Sequence, residues 1–133
     1  MKSSVLKLIL TGSILLSGCD DSSNSINDDP INCTEQYVSG ITIEVIDKVT
    51  GDYIACGATA VIEDNGYSED VTSPNSGECD NTQYLQGAGE RSGIYNIHVS
   101  KDGYLDWSVY NVEVTSDICH VQTVHVIAEL EKY

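Results

Sequence analysis

From Gly40 onward, apolar and polar residues alternate with a period of two, and no window carries the 3.6-residue period of a useful amphipathic helix. Ile41, Ile43 and Val45 alternate with Thr42 and Glu44, which predicts a half-buried strand. The turn after it runs from Asp47 to Asp52, with Gly51 free to take a positive φ. Ala58, Ala60 and Ile62 against Thr59, Val61 and Glu63 predict a second strand. Asp64-Asn65-Gly66 then turns the chain into a hairpin partner over Tyr67–Thr72, since Asn-Gly suits a tight hairpin turn. Ser73–Asn81 reads as a loop, Thr82–Gln86 as a short strand and Gly87–Gly93 as a glycine-rich turn. Tyr95, Ile97 and Val99 form the inward face of the next strand, with Asn96 and His98 outward, and Lys101-Asp102-Gly103 turns again. Leu105, Trp107 and Val109 give way to Tyr110, Val112 and Val114, a change of phase that predicts a bulge near Val109–Asn111. In the last strand Val124, Val126, Ala128 and Leu130 face in and His125 and Glu129 out, and His120 is placed on the same strand. Seven short strands at regular spacing predict an all-β chain, an antiparallel seven-stranded sandwich of Ig-like size.

The first 18 residues follow a different pattern. Lys2 and Lys7 supply a basic start, and an apolar run from Val5 to Leu16 is broken only by Lys7, Thr11, Gly12 and Ser13. The run is too short to span a bilayer, which takes about 20 apolar residues, and it fits a cleavable secretory leader. Its exit, Leu16-Ser17-Gly18-Cys19, resembles the bacterial lipoprotein signal. That resemblance implies cleavage between Gly18 and Cys19, a diacylglyceryl group on the Cys19 sulfur and a further acyl chain such as palmitate on its amine. Each buried methylene contributes about 0.8 kcal/mol, so two or three chains hold stably where one holds marginally. Asp20 resembles the enterobacterial signal for inner-membrane retention; the choice of membrane and leaflet stays open. Residues 20–32, DDSSNSINDDPIN, bury too little to repay their ordering and read as a disordered spacer averaging roughly 20 Å in span. The domain reading is therefore leader 1–18, lipidated cysteine and acidic tether 19–36, and sandwich 37–133.

Charge narrows the partners. Two of the six basic residues and none of the 21 acidic ones precede Cys19, so the 115 residues from Cys19 onward carry a formal charge of −17. Such a surface repels nucleic acid and anionic headgroups. With Cys19 set aside, the other four of the five cysteines, Cys33, Cys56, Cys79 and Cys119, are an even number in an exported chain. They imply two disulfides in preference to a zinc site, because no pair has Cys-x-x-Cys spacing. Four cysteines allow three connectivities, and spacing does not choose among them.

Particular residues carry a family likeness. Asp47-x-x-Thr50-Gly51, Cys56-Gly57-Ala58-Thr59-Ala60, Glu90-Arg91-Ser92-Gly93-Ile94-Tyr95 and Gly103-Tyr104-Leu105-Asp106-Trp107 together resemble a carboxypeptidase regulatory-like domain. Cys119-His120-Val121-x-Thr123-Val124 is similar to the end of a subset of bacterial lipoproteins in that family. The likeness covers residues 40–131. It implies a transthyretin-like (prealbumin-like) sandwich that serves as a structural or binding module without chemistry of its own. It also implies pairing of Cys56 with Cys119 and of Cys33 with Cys79.

Candidate chemistry is sparse. His98, His120 and His125 are the only histidines, and an offset of five along one strand sends His120 and His125 to opposite faces. No serine sits in a Gly-x-Ser-x-Gly elbow. Hydroxyisourate hydrolase, an enzyme among related sandwiches, ends in Tyr-Arg-Gly-Ser, whereas this chain reads Leu130-Glu131-Lys132-Tyr133. Glu63-Asp64 and Glu69-Asp70 flank one hairpin with oxygen ligands but lack the spacing of a calcium loop. Tyr53, Tyr67, Tyr84, Tyr104 and Tyr110 are read as capping or half-buried residues, and Trp107 as core. The expectation is a non-enzymatic, lipid-anchored cell-envelope protein without metal or cofactor, on the periplasmic face or cell surface, binding an envelope protein or a glycan. The alternative is an accessory subunit of an exported peptidase or other envelope enzyme.

Overall fold

Ile41, Ile43 and Val45 are buried and the residues between them are half-buried, so strand β1 (Ile41–Asp47) forms where period two predicts it. The computed structural model describes residues 30–73 and 78–133; the leader, the Gly18–Cys19 junction and the tether through residue 29 lie outside the described residues. Six strands follow: β2 (Thr59–Asp64), β3 (Tyr67–Thr72), β4 (Leu85–Gly87), β5 (Gly93–Ser100), β6 (Trp107–Val114) and β7 (Val124–Leu130). They make two sheets, one of three strands in the order β4-β1-β7 and one of four in the order β3-β2-β5-β6. Between the sheets, Ile41, Ile43, Val45, Ala128 and Leu130 of the smaller pack with Ala60, Ile62, Tyr95, Ile97 and Val99 of the larger. Each fully buried aliphatic side chain contributes about 1.5–3 kcal/mol of transfer free energy.

Turn chemistry sets the local registers. Gly51, Gly66 and Gly103 have φ of 74°, 94° and 84°, and Asn65 precedes Gly66 in the β2–β3 hairpin. The bulge falls in β6: Tyr95 pairs with Val112 and Ile97 with Val109, so Tyr110 and Asn111 together oppose Asn96. Asn111 takes φ of 59° there. Both bulge residues face outward, so Tyr110 is exposed rather than inward. Leu105 also stands outside, ahead of β6, with its amide donating to the Glu131 carbonyl, and Trp107 packs half-buried against the core.

Four further expectations are corrected. The sandwich is not wholly antiparallel: β1 and β7 pair in parallel from Ile41↔Val124 to Asp47↔Leu130. The strand expected over Thr82–Gln86 is β4, Leu85–Gly87, because Asp80 Oδ1 takes the Thr82 amide and hydroxyl and holds those residues in a turn. Gly87 belongs to that strand through its pairing with Ile41, and a Cβ there would meet Ile62 Cδ1 at 2.5 Å. His120 lies in the loop before β7, not on it. The disulfides join Cys33 to Cys119 and Cys56 to Cys79, not Cys56 to Cys119 and Cys33 to Cys79.

The last correction follows from strand length. A seven-residue strand spans about 20 Å, so the sandwich has two separated ends. One end, where the tether arrives, holds residues 33–40, the Asn65-Gly66 turn, Ala88–Ser92 and the loop into β7. The other holds the Asp47–Asp52 turn, Cys56–Ala58, Cys79–Asn81 and Lys101–Asp106. Cys119 precedes β7 at the first end, whereas Cys56 precedes β2 at the second. A bridge needs Cα atoms within about 7 Å, so each cysteine pairs with one at its own end.

Candidate functional site

At the tether end the chain is fastened from Cys33 onward. Cys33 and Cys119 are bridged with Cα atoms 5.3 Å apart. His120 Nε2 lies 3.0 Å from Thr34 Oγ1, and its Nδ1 lies 3.0 Å from Glu90 Oε1. The same Glu90 oxygen accepts the Val38 amide at 2.7 Å, and the Glu90 amide donates to the Val38 carbonyl at 2.9 Å. Partial burial pushes the Glu90 carboxyl up, but the Val38 amide and His120 outweigh it and hold it below the usual carboxylate range. Asp117, lowered by the His120 and Cys119 amides it accepts, shapes the loop that presents Cys119 and His120.

Beneath this clasp lies an arginine node. Arg91 donates to Asp64 at 2.8 Å and to the hydroxyl of fully buried Tyr95 at 2.9 Å, and it lies 4.3 Å over the Tyr67 ring. Tyr95 in turn donates to the Arg91 carbonyl at 2.8 Å. Burial and the adjacent Glu69 carboxylate push the Tyr67 hydroxyl up to about 12. Glu69 accepts from that hydroxyl and from the Ala88 amide, each at 2.8 Å. The four carboxylates weighed for calcium therefore diverge. Asp64 serves Arg91 and Glu69 serves Tyr67, while strand alternation carries Glu63 and Asp70 to the other face of the sheet. Among the described residues, no three His, Cys, Asp or Glu side chains form a group able to hold a metal ion.

Each histidine sits between a hydroxyl and a glutamate. His98 Nδ1 is 2.7 Å from Ser108 Oγ, with Glu63 at 3.9 Å, on the outer face of the larger sheet. His125 lies 3.1 Å from both Thr42 Oγ1 and Glu44 Oε2 on the outer face of the smaller. Only His120 has the acid on Nδ1 and the hydroxyl on Nε2, the order a hydrolytic triad uses. There Glu90 is shared with the Val38 amide, so the arrangement ties the tether segment to the sandwich. Sequence spacing hides these trios because each joins neighbouring strands or segments far apart in the chain.

The far end is built on a buried carboxylate. Asp47 is 3% exposed; its Oδ1 accepts the Val49 and Thr50 amides, and its Oδ2 accepts the Tyr104 hydroxyl at 3.0 Å and lies 3.3 Å from Lys132 Nζ. The two amides lead in lowering its carboxyl from 3.8 to about 2, with Tyr104 and Lys132 adding to them against burial. The Asp-x-x-Thr-Gly spacing was the visible signal of this turn; its partners Tyr104 and Lys132 left none. Cys56–Cys79 staples the loop ahead of β2, and the Lys101 ammonium donates to the Cys56 carbonyl. Between these braces opens a depression of about 570 Å³, lined by Gly57, Thr59, Ser100, Lys101–Asp102, Tyr104–Asp106 and Tyr133.

Of the residues singled out from sequence, the structure brings the four disulfide cysteines together in pairs and keeps the three histidines apart; Gly18 and Cys19 lie outside the described residues. Among the described residues no helix is long and apolar enough to cross a membrane. No family model matches the chain, and no curated protein matches it.

Proposed function

We propose that the protein is a lipid-anchored component of a bacterial cell envelope. Cys19 carries the lipid, and the sandwich acts as a non-enzymatic binding module of the carboxypeptidase regulatory-like, prealbumin-like kind. The observation that carries this reading is the Leu16-Ser17-Gly18-Cys19 box followed, 14 residues after Cys19, by a cysteine cross-linked to the sandwich. A module hung from its N-terminus transmits any pull through that point, and a covalent bond there passes the load to the loop before β7 as well as to β1. The formal charge of −17 on the chain from Cys19 onward favours a solvated module.

The test is Cys19→Ser in the full chain. The expected result is loss of metabolic palmitate label and either release from the membrane fraction or retention of the uncleaved leader. A processed Cys19→Ser protein that still needs detergent for extraction refutes the anchor. Crosslinking in intact envelopes that recovers a stoichiometric peptidase would move the assignment to an accessory subunit.

A further inference from the structure

We propose that the depression at the far end of the sandwich is a binding site for uncharged or amino-sugar glycans. The inference rests on the binding-module reading above and gives it a location and a ligand class. Location comes first. The tether is fastened at one end, and the depression opens at the other, about 20 Å away along the strands.

Rigidity is the second argument. Binding costs less when the site is already ordered. Here the Cys56–Cys79 bridge, the Lys101 contact with the Cys56 carbonyl and the Tyr104–Asp47–Lys132 cluster hold the segments that line the depression.

Chemistry selects the class. Thr59 and Ser100, register partners on adjacent strands, contribute hydroxyls to the lining, and Asp102 and Asp106 stand exposed beside them. Carboxylates accept paired hydrogen bonds from neighbouring sugar hydroxyls or from an ammonium group, and such charge-assisted bonds are the strong ones. Leu105 and Tyr133, both exposed, supply apolar surface for the C–H face of a sugar ring. Lys101 is the only basic residue in the lining, and Asp102 and Asp106 outnumber it, so an anionic polysaccharide meets a site of net negative charge. A volume of about 570 Å³ lies within the range of small-ligand sites, about 300–1,000 Å³.

The experiment titrates the isotopically labelled full chain in detergent with N-acetylchitotriose, chitotriose and maltotriose, using polygalacturonate as the anionic control. We expect saturable amide shifts at Gly57, Thr59 and Lys101–Asp106 with at least one of the three. Asp102→Ala and Asp106→Ala should each weaken that binding by about tenfold or more, the value of one charge-assisted hydrogen bond, while Tyr84→Ala, just ahead of β4 and outside the lining, changes nothing. Both aspartates are exposed, and unchanged melting of the variants checks that they fold. The proposal is overturned if none of the three sugars shifts these amides, if polygalacturonate binds more tightly, or if the aspartate variants bind normally. Membrane retention through Cys19 is read separately, so failure here leaves the anchor standing.

Discussion

Cys33 and Cys119, 86 positions apart, are bridged in the segments that lead into β1 and β7, the two strands that pair in parallel. Parallel pairing brings the starts of both strands to one end, so the bridge and the register Ile41↔Val124 reinforce each other. Non-reducing peptide mapping should recover Cys33 linked to Cys119 and Cys56 linked to Cys79; a Cys56–Cys119 peptide would contradict the fold. The chain-entropy model gives about 4–5 kcal/mol for the longer loop and about 3 kcal/mol for the shorter. Urea unfolding should therefore rank Cys33→Ser/Cys119→Ser as more destabilised than Cys56→Ser/Cys79→Ser.

Gly87 reports on how closely the sheets pack. A Cβ at this position would lie 2.5 Å from Ile62 Cδ1 and 3.0 Å from Val71 Cγ2. Gly87→Ala should cost about 1–3 kcal/mol through overpacking. Adding Ile62→Val removes the offending methyl, so the double variant should lose less than the sum of the two single losses. Additive losses by thermal or urea unfolding would show that the clash is absent.

Asp47 makes a prediction in pH. Its folded carboxyl titrates at about 2, below the ordinary 3.8, so the stabilisation it supplies is complete above about pH 4 and fades as pH falls through 2. Asp47→Asn should melt lower than the parent at pH 7, and the gap should shrink steadily between pH 4 and pH 2. A gap independent of pH would mean that the carboxylate charge contributes nothing.

Glu90 should govern the tether segment and little else. Its lowered carboxyl accepts the Val38 amide and faces His120, so its hold is present above the ordinary carboxylate range and weakens as pH falls. In Glu90→Ala, exchange of the Val38 amide should quicken by about tenfold, while core amides such as Ile43 and Ile97 keep their protection. Equal acceleration throughout would mark Glu90 as a determinant of global stability.

Much of the strand map was legible because side-chain alternation is a local property. Ile41-Ile43-Val45, Tyr95-Ile97-Val99 and Val126-Ala128-Leu130 each declare a buried face within five residues, and Asn65-Gly66 declares its hairpin. Tyr110 misled because the change of phase locates the bulge without saying that both of its residues turn outward, and Leu105 misled because it lies ahead of β6, where the alternation does not yet hold. The Thr82–Gln86 strand shifted because Asp80 captures Thr82, a contact between side chain and backbone that alternation does not encode.

By itself the sequence determined the all-β class, the turns at Asp47–Asp52, Asn65-Gly66 and Lys101–Gly103, the even set of four cysteines beyond Cys19 and the acidic balance. Each of these follows from residues close in the chain or from composition. Tertiary structure alone decided which strand lies beside which. It set β1 parallel to β7, sorted the cysteines by end of the sandwich, and placed Asp47 beneath Tyr104 and Lys132. The physical reason is that alternation specifies the face a residue presents, while the choice of neighbour rests on contacts dozens of residues apart.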